Sequence, residues 1–284
     1  MVVPGLISVI VTTYNRSDAL AAVMRGLSAQ TDRQFEVIIA DDGSGPSHRE
    51  AALAMADVLQ FSAVHVWHPD SGFTAAQVRN LGVAASRGGY LVFLDGDCVP
   101  EKDFIAQHRR LAEAGRFVNG SRVLLSEQLT AQAIAGTEPI VGRSRWYWWK
   151  HWRAGRASRF IGTWRLPDGD YRVKGRFSWK GIRSCNLAVW RADFVAVDGF
   201  DEIYVGWGHE DADLVLRLHH AGIQRKNGFC ATEVFHLWHR EASRSQESAN
   251  WIRVRQRACT AIIRSEIGYS RSRQTEHAVV TRLR

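Results

Sequence analysis

The octet Tyr90-Leu91-Val92-Phe93-Leu94-Asp95-Gly96-Asp97 constrains this chain more than any other stretch. Five consecutive apolar residues predict a strand buried on both faces, the kind that sits inside a parallel sheet. Two carboxylates follow at its mouth, separated by one glycine. Acids in that place are costly to desolvate unless a positive charge meets them. The glycine lets the backbone turn tightly, so that both can reach one divalent cation. Taken alone, the octet reads as simply as a strand followed by an acidic turn.

The surrounding pattern argues for more than a turn. Residues 7–12, 35–40, 63–68 and 90–94 read as strands, and 17–30, 48–60 and 74–86 as the helices between them. Ser17 and Asp18 are the expected N-caps of the first helix, and Gly88-Gly89 stops the last. This βαβα order predicts an α/β domain with a mostly parallel sheet, whose ligands lie beyond the carboxyl ends of the strands. Thr12-Thr13-Tyr14-Asn15, Asp41-Asp42 and Asp95-Asp97 all fall at those ends, which points to a single crevice.

The chain has 284 residues, 45% hydrophobic and 23% charged, enough for one large or two small domains. No apolar stretch approaches the roughly 20 residues of a membrane-spanning helix, and residues 7–12 are too short for a leader's apolar region. Cys98, Cys185, Cys230 and Cys259 form no CxxC pair, so reduced thiols in a cytoplasmic protein are expected rather than a structural zinc. The formal charge of +8 allows an anionic partner without naming it.

The usual phosphate loops are missing. Thr12-Thr13-Tyr14-Asn15-Arg16 follows the first strand, with neither GxGxxG nor GxxxxGK[ST]. A nucleotide bound here needs its phosphates neutralised in another way, by a metal on Asp95 and Asp97 with Arg79 as a second cation. Farther on, Gly206-Trp207-Gly208-His209-Glu210-Asp211-Ala212-Asp213 opens a helical pattern that stops at Gly222. Acids in a first helical turn are explained by the helix dipole. The flanking Gly-Trp-Gly is not, and it offers a flat aromatic platform of the kind sugars stack on.

Four segments, ISVIVTTYNR, EVIIADDGS, AAQVRNLGVAASRGGYLVFLDGDCVP and GFDEIYVGWGHEDADLVLRLHHAG, resemble the successive motifs of family 2 glycosyltransferases. The last is similar to the C-terminal region of galactosyltransferase-like and chondroitin-polymerase-like members. The resemblance covers roughly residues 5–125 and 180–240. It implies a GT-A fold and sugar transfer from a nucleoside-diphosphate sugar, UDP-linked by expectation, to a hydroxyl of a saccharide or lipid-linked saccharide. Thr13, Tyr14, Asn15 and Arg16 then lie at the nucleoside, with Asp41 or Asp42 on the base and Arg79 and Asn80 beside uridine and diphosphate. Asp95, Gly96 and Asp97 correspond to the family's DxD motif, held by Mn²⁺ or Mg²⁺, and His236, with His239 in reserve, to a third ligand. Asp211 matches the general base, and Glu210 the residue that orients the acceptor or holds the loop. Trp207 and Gly208 would face the acceptor. With no second carboxylate placed as a nucleophile, the reaction is expected to invert the anomeric carbon.

Residues 142–181 are dense in Trp and Arg/Lys. They read as an acceptor lid including Trp148 and Trp149, as a contact with an anionic membrane at its inner face, as a packed insertion, or, least of all, as a nucleic-acid surface. Residues 241–284 read as a basic helical extension: Trp251, Ile252, Ile262 and Ile263 pack back on a body formed by 1–240, and the end frays. Two other classes compete with the transferase. A sugar nucleotidyltransferase lacks its expected basic glycine loop here, and a non-catalytic saccharide- or membrane-binding module has no need of both acid clusters.

Overall fold

The apolar runs form strands that are covered on both sides, and each residue's parity decides which helical layer it meets. In this computed structural model, which describes residues 3–161, 164–240, 245–274 and 277–284, the first half alternates as predicted. It runs β1 (Ile7–Thr13), α1 (Ser17–Ser28), β2 (Phe35–Asp41), α2 (Pro46–Ala54), β3 (Ser62–Trp67), α3 (Ala75–Ala85), β4 (Tyr90–Asp95), β5 (Cys98–Pro100) and α4 (Phe104–Leu111). The chain continues through β6 (Arg116–Asn119), β7 (Ser121–Leu124), α5 (Glu127–Ile134), α6 (Arg145–Arg153), β8 (Val173–Lys174), β9 (Asn186–Trp190), α7 (Arg191–Ala196) and α8 (Glu210–His220). It closes with β10 (Gln224–Asn227), β11 (Glu233–His236), α9 (Glu247–Ala258), α10 (Tyr269–Ser272) and β12 (Val279–Arg282).

The main sheet runs β12-β3-β2-β1-β4-β9-β6-β10-β8. Strands β3, β2, β1 and β4 are parallel, whereas β9 pairs antiparallel with both β4 and β6, and β12 antiparallel with β3. The sheet is therefore mixed, not mostly parallel. Ile7, Val9 and Val11 of β1 pack with Leu20, Val23 and Leu27 of α1, while Ile10 faces Val78 and Leu81 of α3. Helix α3 comes so close that a Cβ on Gly82 would sit 2.7 Å from Ile10 Cγ2. Larger residues there would push the helix, and Arg79 with it, off the sheet.

A second, three-stranded sheet, β5-β11-β7, stands beside the end of β4. Its register sets His236 opposite Cys98 on one side and Leu124 on the other. It thereby brings a residue far along the chain back to the acids at the strand mouth.

Several local expectations change. Arg16, not Ser17 or Asp18, is the N-cap of α1, and it ion-pairs with Asp18 at 2.9 Å. Trp148 is not on a lid: it is fully buried and stacked on Phe235, with centroids 4.2 Å apart. Residues 162–163 of the Trp/Arg segment, and 241–244 and 275–276 of the extension, lie outside the described residues. Helix α9 packs through Asn250, Val254, Arg257 and in part Ala258, whereas Trp251 and Ile252 on it, and Ile262 and Ile263 beyond its end, are exposed and not packed back as expected. The carboxyl end is not a frayed stub either. Strand β12 adds an edge to the main sheet, and Leu283 N–H donates to Ala63 O at 2.9 Å.

Candidate active site

A cleft of about 500 Å³ opens at the carboxyl ends of β1, β2 and β4, closed on one side by β7 and β11 and on another by the loop before α8. Thr13, Tyr14, Arg16, Asp42, Arg79, Asp95, Gly96, Asp97, Trp207 and His236 all contribute to its wall. Residues from six separate segments thus meet in one place.

The acid pair is built by the backbone. Gly96 N–H donates to Thr12 O at 2.7 Å, and any Cβ at Gly96 would lie 2.8 Å from that oxygen. The turn aims the two carboxylates differently. Asp95 Oδ1 accepts from Arg79 Nη2 at 3.1 Å, and Arg79 Nη1 donates to Glu210 Oε1 at 2.9 Å. Arg79 is itself buried: burial opposes its charge, but Asp95 and Glu210 hold the guanidinium more firmly protonated than usual. The sequence-level picture of Arg79 as a free phosphate-binding cation is corrected accordingly, since the group already bridges two acids. Asn80 turns away from the cleft, donating to Phe200 O and Glu202 at 2.9 Å each.

Asp97 faces the second sheet. His239 Nε2 is 3.2 Å from Asp97 Oδ2, and His236 Nε2 is 3.6 Å from Asp97 Oδ1. Donor atoms of Asp97, Cys98 and His236 lie within 4.8 Å of one another. Burial lowers the His236 pKa, which favours the neutral imidazole a metal requires. Burial raises the Cys98 thiol far above its usual range, so it stays protonated and is a poor ligand. A carboxylate with two imidazoles suits Mn²⁺ better than the oxygen-preferring Mg²⁺, and the reserve residue His239 is the nearer of the two to Asp97.

At the other end of the cleft, Asp42 accepts from Thr74 N–H at 3.0 Å and contacts His68 Nε2 at 3.1 Å. Asp41 is buried outside the wall, held by His65 Nε2 at 3.0 Å and by Ser44 N–H at 2.8 Å. Of the two acids, then, only Asp42 lines the cleft. Tyr14, half exposed, donates its hydroxyl to Asp70 at 2.9 Å. Asn15 has φ +49°, and its Oδ1 accepts from Gly45 N–H at 2.9 Å, so it ties the β1 and β2 loops together instead of lining the cleft.

The loop before α8 is strained into place. Gly206, Gly208 and His209 all have positive φ, the last unusual for a residue with a side chain. Gly206 N–H is fixed to Phe73 O at 3.0 Å, which sets Trp207 against the cleft. Asp211 follows in the first turn of α8 and accepts from Ser184 N–H at 3.1 Å and from its neighbour Ala212 N–H at 2.7 Å. The helix N-terminus favours the ionised carboxylate. Burial wins instead and raises it, with the opposing pull of Arg79 too weak to cancel the desolvation. Glu210 is raised as well, by burial and by the charge of Asp211. Asp213 plays a different part: it takes Arg217 at 2.7 Å and Arg257 at 2.6 Å in the interior.

Trp149 is half-buried and stacks on Trp146, with centroids 4.4 Å apart, outside the cleft wall. Neither tryptophan chosen from the sequence therefore reaches the cleft. Trp238 does, with its N–H held by Thr130 at 2.8 Å, as do Phe73 and Arg122. Trp238 lies between His236 and His239, so proximity to those histidines was the signal that could have found it.

Comparison with known proteins agrees with this geometry. The model of "Glycosyl transferase family 2" matches residues 8–177, and that of "N-terminal domain of galactosyltransferase" matches residues 170–240. Validoxylamine A glucosyltransferase of Streptomyces hygroscopicus subsp. jinggangensis is 30% identical over 233 residues, covering 77% of this chain and 52% of that protein. Chondroitin synthase of Escherichia coli is 25% identical over 242 residues, covering 78% of this chain and 33% of its own length. The chain thus spans about half or less of these relatives. Among solved structures, S. aureus TarS superposes with a TM-score of 0.61 at 14% identity, over 94% of this chain and 41% of that one. The mannosyltransferase PcManGT from Pyrobaculum calidifontis, in complex with GDP-Man and Mn²⁺, gives 0.51 at 16% identity, over 91% and 63%. These likenesses show the GT-A-type fold, and the chain belongs to glycosyl transferase family 2.

Proposed function

We propose that the cleft binds a nucleoside-diphosphate sugar, UDP-linked, and transfers the sugar with inversion to a hydroxyl of a saccharide or lipid-linked saccharide. One observation carries this reading: Asp97, His236 and His239 line the same cleft as Asp95 and Arg79, and Arg79 ties to it Glu210, the residue before Asp211, although Glu210 and Asp211 stand behind the wall. Thr13, Tyr14, Arg16 and Asp42 form the nucleoside end. Asp95, Asp97, His236 and His239 would hold Mn²⁺ or Mg²⁺, which when bound neutralises the diphosphate as it departs.

The chain's own residues supply the rest. Arg79 fixes Glu210 and Asp95 at a set separation. Trp207 offers the acceptor an aromatic face. Asp211 takes the proton of the attacking hydroxyl. Its raised pKa suits that task, because a base nearer the working pH removes a proton more effectively than an ordinary carboxylate. Glu210 is committed to Arg79, which leaves Asp211 as the base and, among the described residues, no neighbouring carboxylate free to act as a nucleophile.

Four free cysteines support a reducing, cytoplasmic setting, and the exposed Trp146, Trp152 and Trp164 among Arg145, Lys150 and Arg153 support peripheral contact with an anionic membrane. Incubating the chain with a panel of UDP-sugars and Mn²⁺ tests the main reading. Slow metal-dependent release of UDP from one of them, accelerated by an acceptor saccharide, is the expected result. Metal-dependent UDP binding with no release from any UDP-sugar would favour a non-catalytic binder.

A further inference from the structure

Several buried or half-buried arginines are paired with acids: Arg79 with Asp95 and Glu210, Arg165 with Asp103, Arg217 with Asp213, Arg257 with Asp201. Arg122 and Arg183 are not. Arg122, on β7, is half-buried in the cleft wall, with its Nη1 3.8 Å from Cys185 Sγ. Arg183, also half-buried, directly precedes Ser184, whose N–H holds Asp211 Oδ2 at 3.1 Å. Among the described residues, neither has a carboxylate within ion-pair distance. Two further guanidiniums add to the positive charge that Arg183 faces. Arg159 lies over the Phe229 ring at 5.7 Å, and Arg225 spends its Nη atoms on the carbonyls of Ser178, Lys180 and Gly181, neutral partners that leave its charge uncancelled. Burial, then the charges of Arg122 and Arg159, push Arg183 below the usual guanidinium range. Burial opposes the charge of Arg122 too, but Cys185, Cys98 and Asp95 beside it hold it above its usual range, so the repulsion falls on Arg183, and an anion placed between the two relieves that cost.

The position of the cluster says which substrate brings the anion. Donor phosphates belong with Asp97, His236 and His239, where a cation fits. Arg183 stands one residue from the backbone group that anchors Asp211, and whatever hydroxyl loses its proton to Asp211 must approach along that flank. We infer that the acceptor carries a carboxylate or phosphate close to its attacking hydroxyl, and that Arg122 and Arg183 bind it. The inference rests on the proposed function in one respect, the role of Asp211 as base.

Calorimetry on the full chain with UDP and Mn²⁺ present tests it with two matched pairs of probes: methyl β-glucuronide against methyl β-glucoside, and glycerol 1-phosphate against glycerol. In at least one pair the charged member should bind roughly tenfold tighter or better, the scale of a charge-assisted hydrogen bond. The pair that shows the preference identifies carboxylate or phosphate as the source. R122Q and R183Q together should bring the ratio near one while UDP–Mn²⁺ affinity holds, and R183K, which keeps the charge, should retain most of the preference. If the glutamine variant fails to fold, R183K against R183M carries the same comparison. Equal binding of charged and neutral members, or a preference that survives loss of both arginines, would overturn the inference. So would a fall in UDP affinity in R122Q/R183Q, which would assign the arginines to the donor diphosphate. UDP-sugar turnover is a separate readout: turnover without charge preference leaves the transferase and removes the anion site, and the reverse leaves the anion site and removes the transferase.

Discussion

Asp211 is where the chemistry is decided. Asp211→Asn keeps the side-chain shape and, through its one carbonyl oxygen, one of the two contacts to Ser184 and Ala212 N–H, but it cannot accept a proton. Donor affinity should change little, and transfer should fall by roughly 10²–10⁴-fold, the range typical of general-base loss. The same residue fixes the acid side of the pH profile. Because burial raises its pKa, activity should climb with pH through a value above the ordinary carboxylate range, measured as kcat/KM across pH 4–8. Wild-type turnover by the Asn variant would reduce Asp211 to a helix-start residue. At this scale the sequence was readable where chemistry leaves a signature, as in the acids of the DxD turn. It was opaque where a side chain's partner lies far along the chain. Arg79 looked like a free cation because Glu210 is 131 residues away, and Asp41 and Asp42 looked equivalent until His65 and His68 each claimed one of them.

Helix α6 shows what an element conceals. Its sequence, RWYWWKHWR, has aromatic residues on every side, so periodicity alone could not say which of them packs. The structure buries Trp148 against Phe235 and leaves Trp146 and Trp149 stacked at the surface. Trp148→Ala should therefore cost roughly 3–5 kcal/mol in denaturant unfolding, whereas Trp149→Ala should cost less than about 1 kcal/mol. UDP binding by folded protein should survive in both, and loss of UDP binding in a folded Trp149→Ala variant would return that residue to the site. Strand β11 carries a second element-level consequence. Burial pushes Glu233 up to about 7 despite Ser121 and Cys230 N–H donating to it. Between the ordinary carboxylate pKa and 7 the folded chain holds a proton that the unfolded chain has already released, so stability falls as pH rises through that window. Comparing urea unfolding at pH 5 and pH 8 should show wild type losing up to about 3 kcal/mol more than Glu233→Gln. An equal loss in both proteins would place the pH dependence elsewhere.

On the scale of the whole molecule, the strands of the first half were legible because each is a dense apolar run, and a run of that kind has few places to go other than the middle of a sheet. The second sheet was not, because β5, β7 and β11 have only three or four residues each and acquire their meaning through long-range pairing. The same is true of β12, whose four residues follow a basic stretch and give no sign that they complete an edge. Yet this short, unannounced sheet is what brings His236 and His239 to Asp97, and the account depends on that meeting. Titrating UDP into the protein by calorimetry, with Mn²⁺, with EDTA, and with Mn²⁺ in Asp97→Ala, measures it directly. The account predicts tight binding in the first case and a loss of roughly tenfold or more in the other two, with the variant still folded by circular dichroism. UDP binding of equal strength in all three would contradict it.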